Sequence, residues 1–153
     1  MMKDNIGNDL NIGDYVFCLS GTHKNTIQQI KKFRITKDHF GDRDAVDFVG
    51  GSWLLAYNTI SLTALGITDA KTSTQPGCDV LGNELHVGDK VLYRHPLEYY
   101  AEIGTVKKLA AKSCLLEITP NRFGETEYRK KFNEILSLTA LGQEMLIIKH
   151  CYD

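Results

Sequence analysis

No stretch of this sequence is long and apolar enough to span a membrane as a helix. The opening residues, Met1-Met2-Lys3-Asp4-Asn5, have no apolar core, so no signal peptide is expected there. Cysteine is sparse and scattered: Cys18, Cys78, Cys114 and Cys151 include no Cys-x-x-Cys pair. Free thiols in a reducing cytoplasm are the expected state. With His23, His39, His86, His95 and His150 these cysteines form no zinc spacing. No Ser/His/Asp or Cys/His set is legible, and no phosphate-cradling glycine loop is present. An enzyme is therefore not expected, nor a metal or cofactor. An excess of positive charge is also missing: 18 Lys and Arg stand against 19 Asp and Glu, a net charge of −1. A dedicated basic protein would show its partner in its charge. Any nucleic-acid surface here must come from segregation of charge along the chain.

What is present is a duplication. Ser61-Leu62-Thr63-Ala64-Leu65-Gly66 returns letter for letter as Ser137-Leu138-Thr139-Ala140-Leu141-Gly142. Upstream, the run from Asp4 to Phe17 is echoed from Asp79 to Leu92. Both echoes lie about 75 positions on, the second copy being one residue longer between its landmarks. The chain thus reads as two small modules: 1–67, a linker over 68–78, and 79–153. Modules of roughly 70 residues are near the lower limit for an independent core.

In the first module Gly7-Asn8 reads as a tight turn. Tyr15 to Leu19, Ile27 to Ile35, Ala45 to Val49 and Ser52 to Tyr57 read as strands. Gly50-Gly51 joins the last two as a hairpin. Ser61 is placed to cap one helical turn and Gly66 to end it, with Leu62 and Leu65 on one face. Thr68 to Cys78 has the composition of a linker. The second module predicts strands at Lys90 to Tyr93, Glu102 to Leu109, Ser113 to Thr119 and Tyr128 to Phe132. Its insertion falls around His95 to Tyr100, its long turn at Pro120 to Thr126, and an extra strand is expected over Met145 to Tyr152. Short strands with turn signals between them predict an all-β chain of two small barrels or rolls, with helix confined to short capping turns.

Val87-Gly88-Asp89-Lys90-Val91, followed by Gly104-Thr105-Val106, resembles the KOW pattern of SH3-like barrels, a fold shared with Tudor domains. The first module keeps Gly13-Asp14-Tyr15-Val16 but has Gln28 in place of Gly104. Length and two-module architecture resemble the MotB-type nucleoid-associated proteins of T-even-like phages. The resemblance implies two tandem SH3-like (KOW/Tudor-like) barrels in the host cytoplasm or nucleoid that clamp duplex DNA; a monomer is the favoured state, with the oligomeric state left open by the sequence.

Charge is segregated. Between Tyr15 and Lys37 there is no acid, but Lys24, Lys31, Lys32, Arg34 and Lys37 are present. Between Ile103 and Leu116 there is again no acid, with Lys107, Lys108 and Lys112. The doublets Lys31-Lys32 and Lys107-Lys108 occupy equivalent repeat positions, and Arg129-Lys130-Lys131 forms a further cluster. Such edges neutralise phosphates without reading bases. Duplex DNA, bound without sequence preference, is therefore the expected partner. A protein–protein module binding a host protein is the alternative. Asp38, Asp42, Asp44 and Asp47 read as a solvated acidic loop, and Asp14 and Asp89 as pins for their own loops. Trp53 reads as core filler, with an aromatic cage as the other option. Of Tyr99-Tyr100, one is expected to pack on the barrel and the other to be exposed.

Overall fold

In a computed structural model, residues 2–68 and 72–148 are described. They fall into two compact units, one built from residues 2–68 together with residue 148 and the other from 72–147. Both are all-β. Unit 1 contains β1 (Tyr15–Cys18), β2 (Ile27–Asp38), β3 (Gly41–Phe48), β4 (Trp53–Leu55) and β5 (Thr59–Ser61). Unit 2 contains β6 (Lys90–Tyr93), β7 (Glu102–Leu109), β8 (Ser113–Glu117), β9 (Glu127–Lys131) and β10 (Leu136–Ser137). The sheet orders are β4-β3-β2-β1-β5 and β10-β6-β7-β8-β9, all pairs antiparallel. Read from the other edge, the second order repeats the first. Each sheet is a four-stranded meander whose fifth strand returns beside the first.

The duplicated landmarks meet in space, and a carboxylate joins them. Asp4 is fully buried; its Oδ2 accepts the Ser61 N–H at 2.7 Å, and its Oδ1 accepts those of Asn8 and Ile6 at 2.7 and 3.1 Å. Asp79 does the same for Ser137, Asn83 and Leu81 at 2.8, 2.9 and 3.0 Å. Other letters of the repeated hexapeptide have equally specific contacts. Ser61 and Ser137 accept the Ala64 and Ala140 N–H on their hydroxyls. Thr63 and Thr139 accept the first N–H of β1 and β6, from Tyr15 and Lys90. Leu62 and Leu138 are completely buried, each contributing about 2 kcal/mol. Gly66 ends its turn at φ +92°, which a side chain would strain. Asp14 and Asp89 pin their loops as expected, accepting the N–H of Asn11 and His86, each at 2.9 Å.

Each unit has its own core. Val16, Cys18, Ile30, Val46, Phe48 and Leu54 pack together in unit 1. Val91, Tyr93, Val106, Leu116, Phe132 and Ile135 do so in unit 2. The departure from the Gly-x-Val pattern has a packing reason. Gly104 lies opposite Val91, and a Cβ there would sit 3.3 Å from the Tyr93 ring. Unit 1 carries Cys18 where unit 2 has Tyr93, and there Gln28 stands opposite Val16. Large beside small has become small beside large.

Three expectations are corrected. From Ser73 onward the presumed linker belongs to unit 2: Ser73 donates to the Val80 carbonyl and Leu85 to that of Gly77. No strand forms over residues 143–148, where Met145 and Ile147 are exposed, and the rest of the expected extra strand lies outside the described residues. Trp53 is 44% exposed on the outer face, with the Arg34 guanidinium 5.6 Å from its ring centre. No helix among the described residues is long and apolar enough to cross a membrane.

Candidate nucleic-acid interface

A strand alternates its side chains between faces, so two successive lysines should not both face out. Here they do, because each doublet sits on a β-bulge. The β2–β3 register slips between Ile30 and Lys32, and the β7–β8 register slips between Val106 and Lys108. Ile30 and Val106 stay in the cores while Lys31, Lys32, Lys107 and Lys108 are exposed. The extra residue resets the alternation and doubles the outward charge.

The hairpin partner then decides what that charge can do. In unit 1 the register sets Lys32 against Asp47. Asp47 is 7% exposed, takes the Arg34 Nε at 2.8 Å and its second guanidinium nitrogen at 3.2 Å, and lies 3.5 Å from the Lys32 Nζ. The Arg34 hydrogen bonds hold its carboxyl below the usual carboxylate range, reinforced by the Arg34 and Lys32 charges and opposed by burial. Lys37 faces Asp42 at 4.0 Å. Asp38 accepts the Phe40 N–H and pairs with Arg43. The four aspartates are thus not a solvated loop: they belong to the β2–β3 hairpin, and Asp47 is a buried clamp. Of the unit 1 candidates, Lys32, Arg34 and Lys37 are already engaged. Lys31 has no ion pair among the described residues, and Lys24 is exposed in the loop after β1.

Unit 2 differs. Lys108 lies opposite Leu115, and Arg129 opposite Leu115 from the other side. Adjacent strands are about 4.8 Å apart, so the two cations flank one leucine across roughly 10 Å of sheet. Lys131 follows two residues on, opposite Ser113, and Lys112 stands at the hairpin tip just before Ser113. Arg129 donates to the Ser113 hydroxyl at 3.0 Å. None of these four cations has an ion pair among the described residues. Lys107 is paired with Glu127 at 3.0 Å. Lys130 is a further correction: it points to the core side, is 8% exposed and lies 3.6 Å from Glu134. A phosphate cannot reach it without breaking that pair.

The opposite end of the unit 2 sheet is acidic. Glu117 and Glu127 lie opposite each other there. Beyond them the inserted loop packs on the long turn: His95 lies 3.0 Å from Glu125 and stacks on Phe123 at 5.3 Å, while Arg122 pairs with Glu98 at 3.1 Å. Burial first, then the charges of Glu102, Glu125 and Glu98, push the Tyr93 hydroxyl up to about 12. Tyr99 and Tyr100 pack edge-on against each other at 5.0 Å, with Tyr99 exposed. Unit 2 thus carries a charge gradient along its strands.

Two hollows lie at the basic end. One, of about 330 Å³, is lined by Ser73, Thr74, Pro76, Lys112, Lys131 and Phe132 among others. The second, of about 540 Å³, shares Gln75, Pro76, Cys78 and Phe132 with it. Sequence reasoning missed both, because their wall is the stretch read as a linker. Burial pushes the Cys18 thiol up to about 12 and Cys114 to about 11, so neither of these two is a thiolate at neutral pH. No three His, Cys, Asp or Glu side chains among the described residues come together as a metal site.

No curated protein matches the chain. Residues 78–137, from the start of the second copy's pin through β10, match the family model of a domain of unknown function (DUF7205).

Proposed function

We propose that each unit is an SH3-like roll of the KOW/Tudor-like kind and that the chain binds the phosphate backbone of duplex DNA, without catalysis and with little sequence preference. The supporting observation is the set Lys108, Lys112, Arg129 and Lys131, carried on one end of unit 2 and free of carboxylate partners among the described residues. Backbone neutralisation needs only placed cations, and it explains why a near-neutral chain keeps these four unpaired. The acidic far end of the same sheet repels phosphate and sets the orientation. A nucleoid-associated or transcription-modulating role in the host cytoplasm is the setting that the phage-protein resemblance suggests.

The test is a titration against random-sequence duplex DNA at several salt concentrations. Four contacts give a log–log slope near −3.6, at about −0.9 each. Lys108→Ala/Arg129→Ala reduces that slope by about 2 and weakens all sequences alike. Lys32→Ala/Arg34→Ala leaves it nearly unchanged. Absence of binding at low salt overturns the reading.

A second reading rests on a different observation. Beyond the unit 1 core the β2–β3 hairpin exposes Phe33, Ile35 and, at its turn, Phe40. Exposed apolar residues on one hairpin suit a protein partner. Such an interface tolerates salt, which separates the two readings in one experiment.

A further inference from the structure

We infer that unit 2 holds one unstacked nucleotide, its base in the hollow beside Phe132 and its phosphate between Lys112 and Lys131. This rests on the nucleic-acid reading above and narrows it to a strand that can release a base.

The hollow joins three segments distant in sequence: Ser73 to Pro76, the hairpin tip at Lys112, and the end of β9 with the single turn that follows it. Phe132, Pro76 and Cys78 give its lining an apolar part, and Lys112 and Lys131 line it too. No carboxylate lines it. Neither Lys112 nor Lys131 has an ion pair among the described residues. A volume of about 330 Å³ is at the small end of ligand sites. A lining that combines Phe132 and Pro76 with two lysines matches one chemical class best: a flat, weakly polar ring joined to an anion. A nucleotide is such a group, and neutralising a polyanion's backbone already brings nucleotides to these lysines. Thr74 and Asn133 offer a hydroxyl and an amide to the base edge, each able to donate and accept, so no base is strictly selected. Bases inside a duplex are paired and stacked and cannot enter. A single strand, a frayed end or a bubble supplies one at little cost.

Another hollow of unit 2, of about 300 Å³, fails the same requirements. It is lined by Glu98 and Glu102, and its one arginine, Arg122, is already paired with Glu98. Phosphate is repelled there.

The experiment compares three fluorescent probes on the full chain: oligo-dT, an abasic strand of equal length and charge, and a random duplex. Oligo-dT is expected to bind roughly tenfold more tightly than the abasic strand, the usual scale of stacking one base. Thr74→Trp, which fills the hollow and keeps both lysines, should bring oligo-dT down to the abasic level and leave duplex binding unchanged. Lys112→Ala should weaken all three probes. Equal binding of oligo-dT and the abasic strand overturns the inference while leaving backbone binding intact. Loss of oligo-dT and duplex binding together in Thr74→Trp, with an unchanged circular dichroism spectrum, also overturns it. Binding of none of the probes by the wild-type chain removes this inference and the reading beneath it.

Discussion

In unit 1 the second lysine of the bulge doublet, Lys32, lies 3.5 Å from the buried carboxylate of Asp47. In unit 2 the equivalent Lys108 lies opposite Leu115. The two units share strand order, hexapeptide, carboxylate pin and bulge. They part at the residue facing the doublet. The backbone of the module therefore supplies two outward lysines in either copy, and one cross-strand neighbour decides whether the second of them is spent internally, as Lys32 is, or left for a ligand, as Lys108 is. Asp47 binds Arg34 as well, and Arg34 in turn covers Trp53, so these side chains of unit 1 form a closed patch beside the exposed Lys31. A buried carboxylate with a two-pronged arginine is among the stronger charge-assisted contacts, and opening it would strand the acid.

The comparison can be broken most severely at what the two copies share. Asp79→Ala leaves the Ser137, Leu81 and Asn83 N–H groups without their acceptor, which costs about 3 kcal/mol. Asp4→Ala should do the same in unit 1. Hydrogen exchange read unit by unit checks that each change loosens its own copy. The next effect tests the exchanged packing. Gly104→Gln forces a side chain against Tyr93, Ile118 and the Glu117 carbonyl, at about 2 kcal/mol. Adding Tyr93→Cys, the unit 1 residue, should recover part of that loss. A double-mutant cycle with no coupling would sink the explanation given for Gln28.

A smaller effect sharpens the charge contrast itself. Leu115→Asp places a carboxylate between Lys108 and Arg129 and should lower DNA affinity by roughly tenfold for each contact withdrawn. Asp47→Leu should move the other way, releasing Lys32 and Arg34 and steepening the salt dependence. The smallest effect is in pH. The folded pKa of Asp47 is lowered, chiefly by Arg34, so its contribution is present above the ordinary value of 3.8 and lost as pH falls through the lower folded value. Asp4 has the opposite sign. Burial raises its pKa above 3.8 against four hydrogen bonds, so its contribution is full below 3.8 and is lost as pH rises through the raised folded value. Acid unfolding of wild type against Asp47→Ala should show a stability difference that shrinks below pH 3.8.

Much of the fold was legible because it is local. The duplication, the strands from Tyr15, Ile27, Lys90 and Glu102, and the Asp14 and Asp89 pins all depend on neighbours a few residues away. The candidate site was legible only in part. Lys31-Lys32 and Lys107-Lys108 were visible as equivalent doublets, but strict alternation gives no hint of a bulge. An acid-free run from Tyr15 to Lys37 looked open because its acids arrive from the partner strand, Asp47 pairing with a lysine 15 positions earlier. Lys130 sits between two cations in sequence yet faces Glu134 and the core, since strand alternation turns it away from Arg129 and Lys131. The Ser73 to Pro76 stretch had linker composition, and composition does not report that its backbone is bonded to Val80.

The repeat was enough to show that this chain is built from two copies of one β module, and which serine and glycine close the turn of each copy. The serine follows from a hydrogen bond three residues long, to Ala64 or Ala140, and the glycine from the sterics of a left-handed residue. Tertiary structure alone decided the fate of the charges and the existence of the hollow at Lys112 and Lys131. Cross-strand register and bulges bring together residues that are far apart in sequence, and whether a lysine meets an aspartate or a leucine depends on that register.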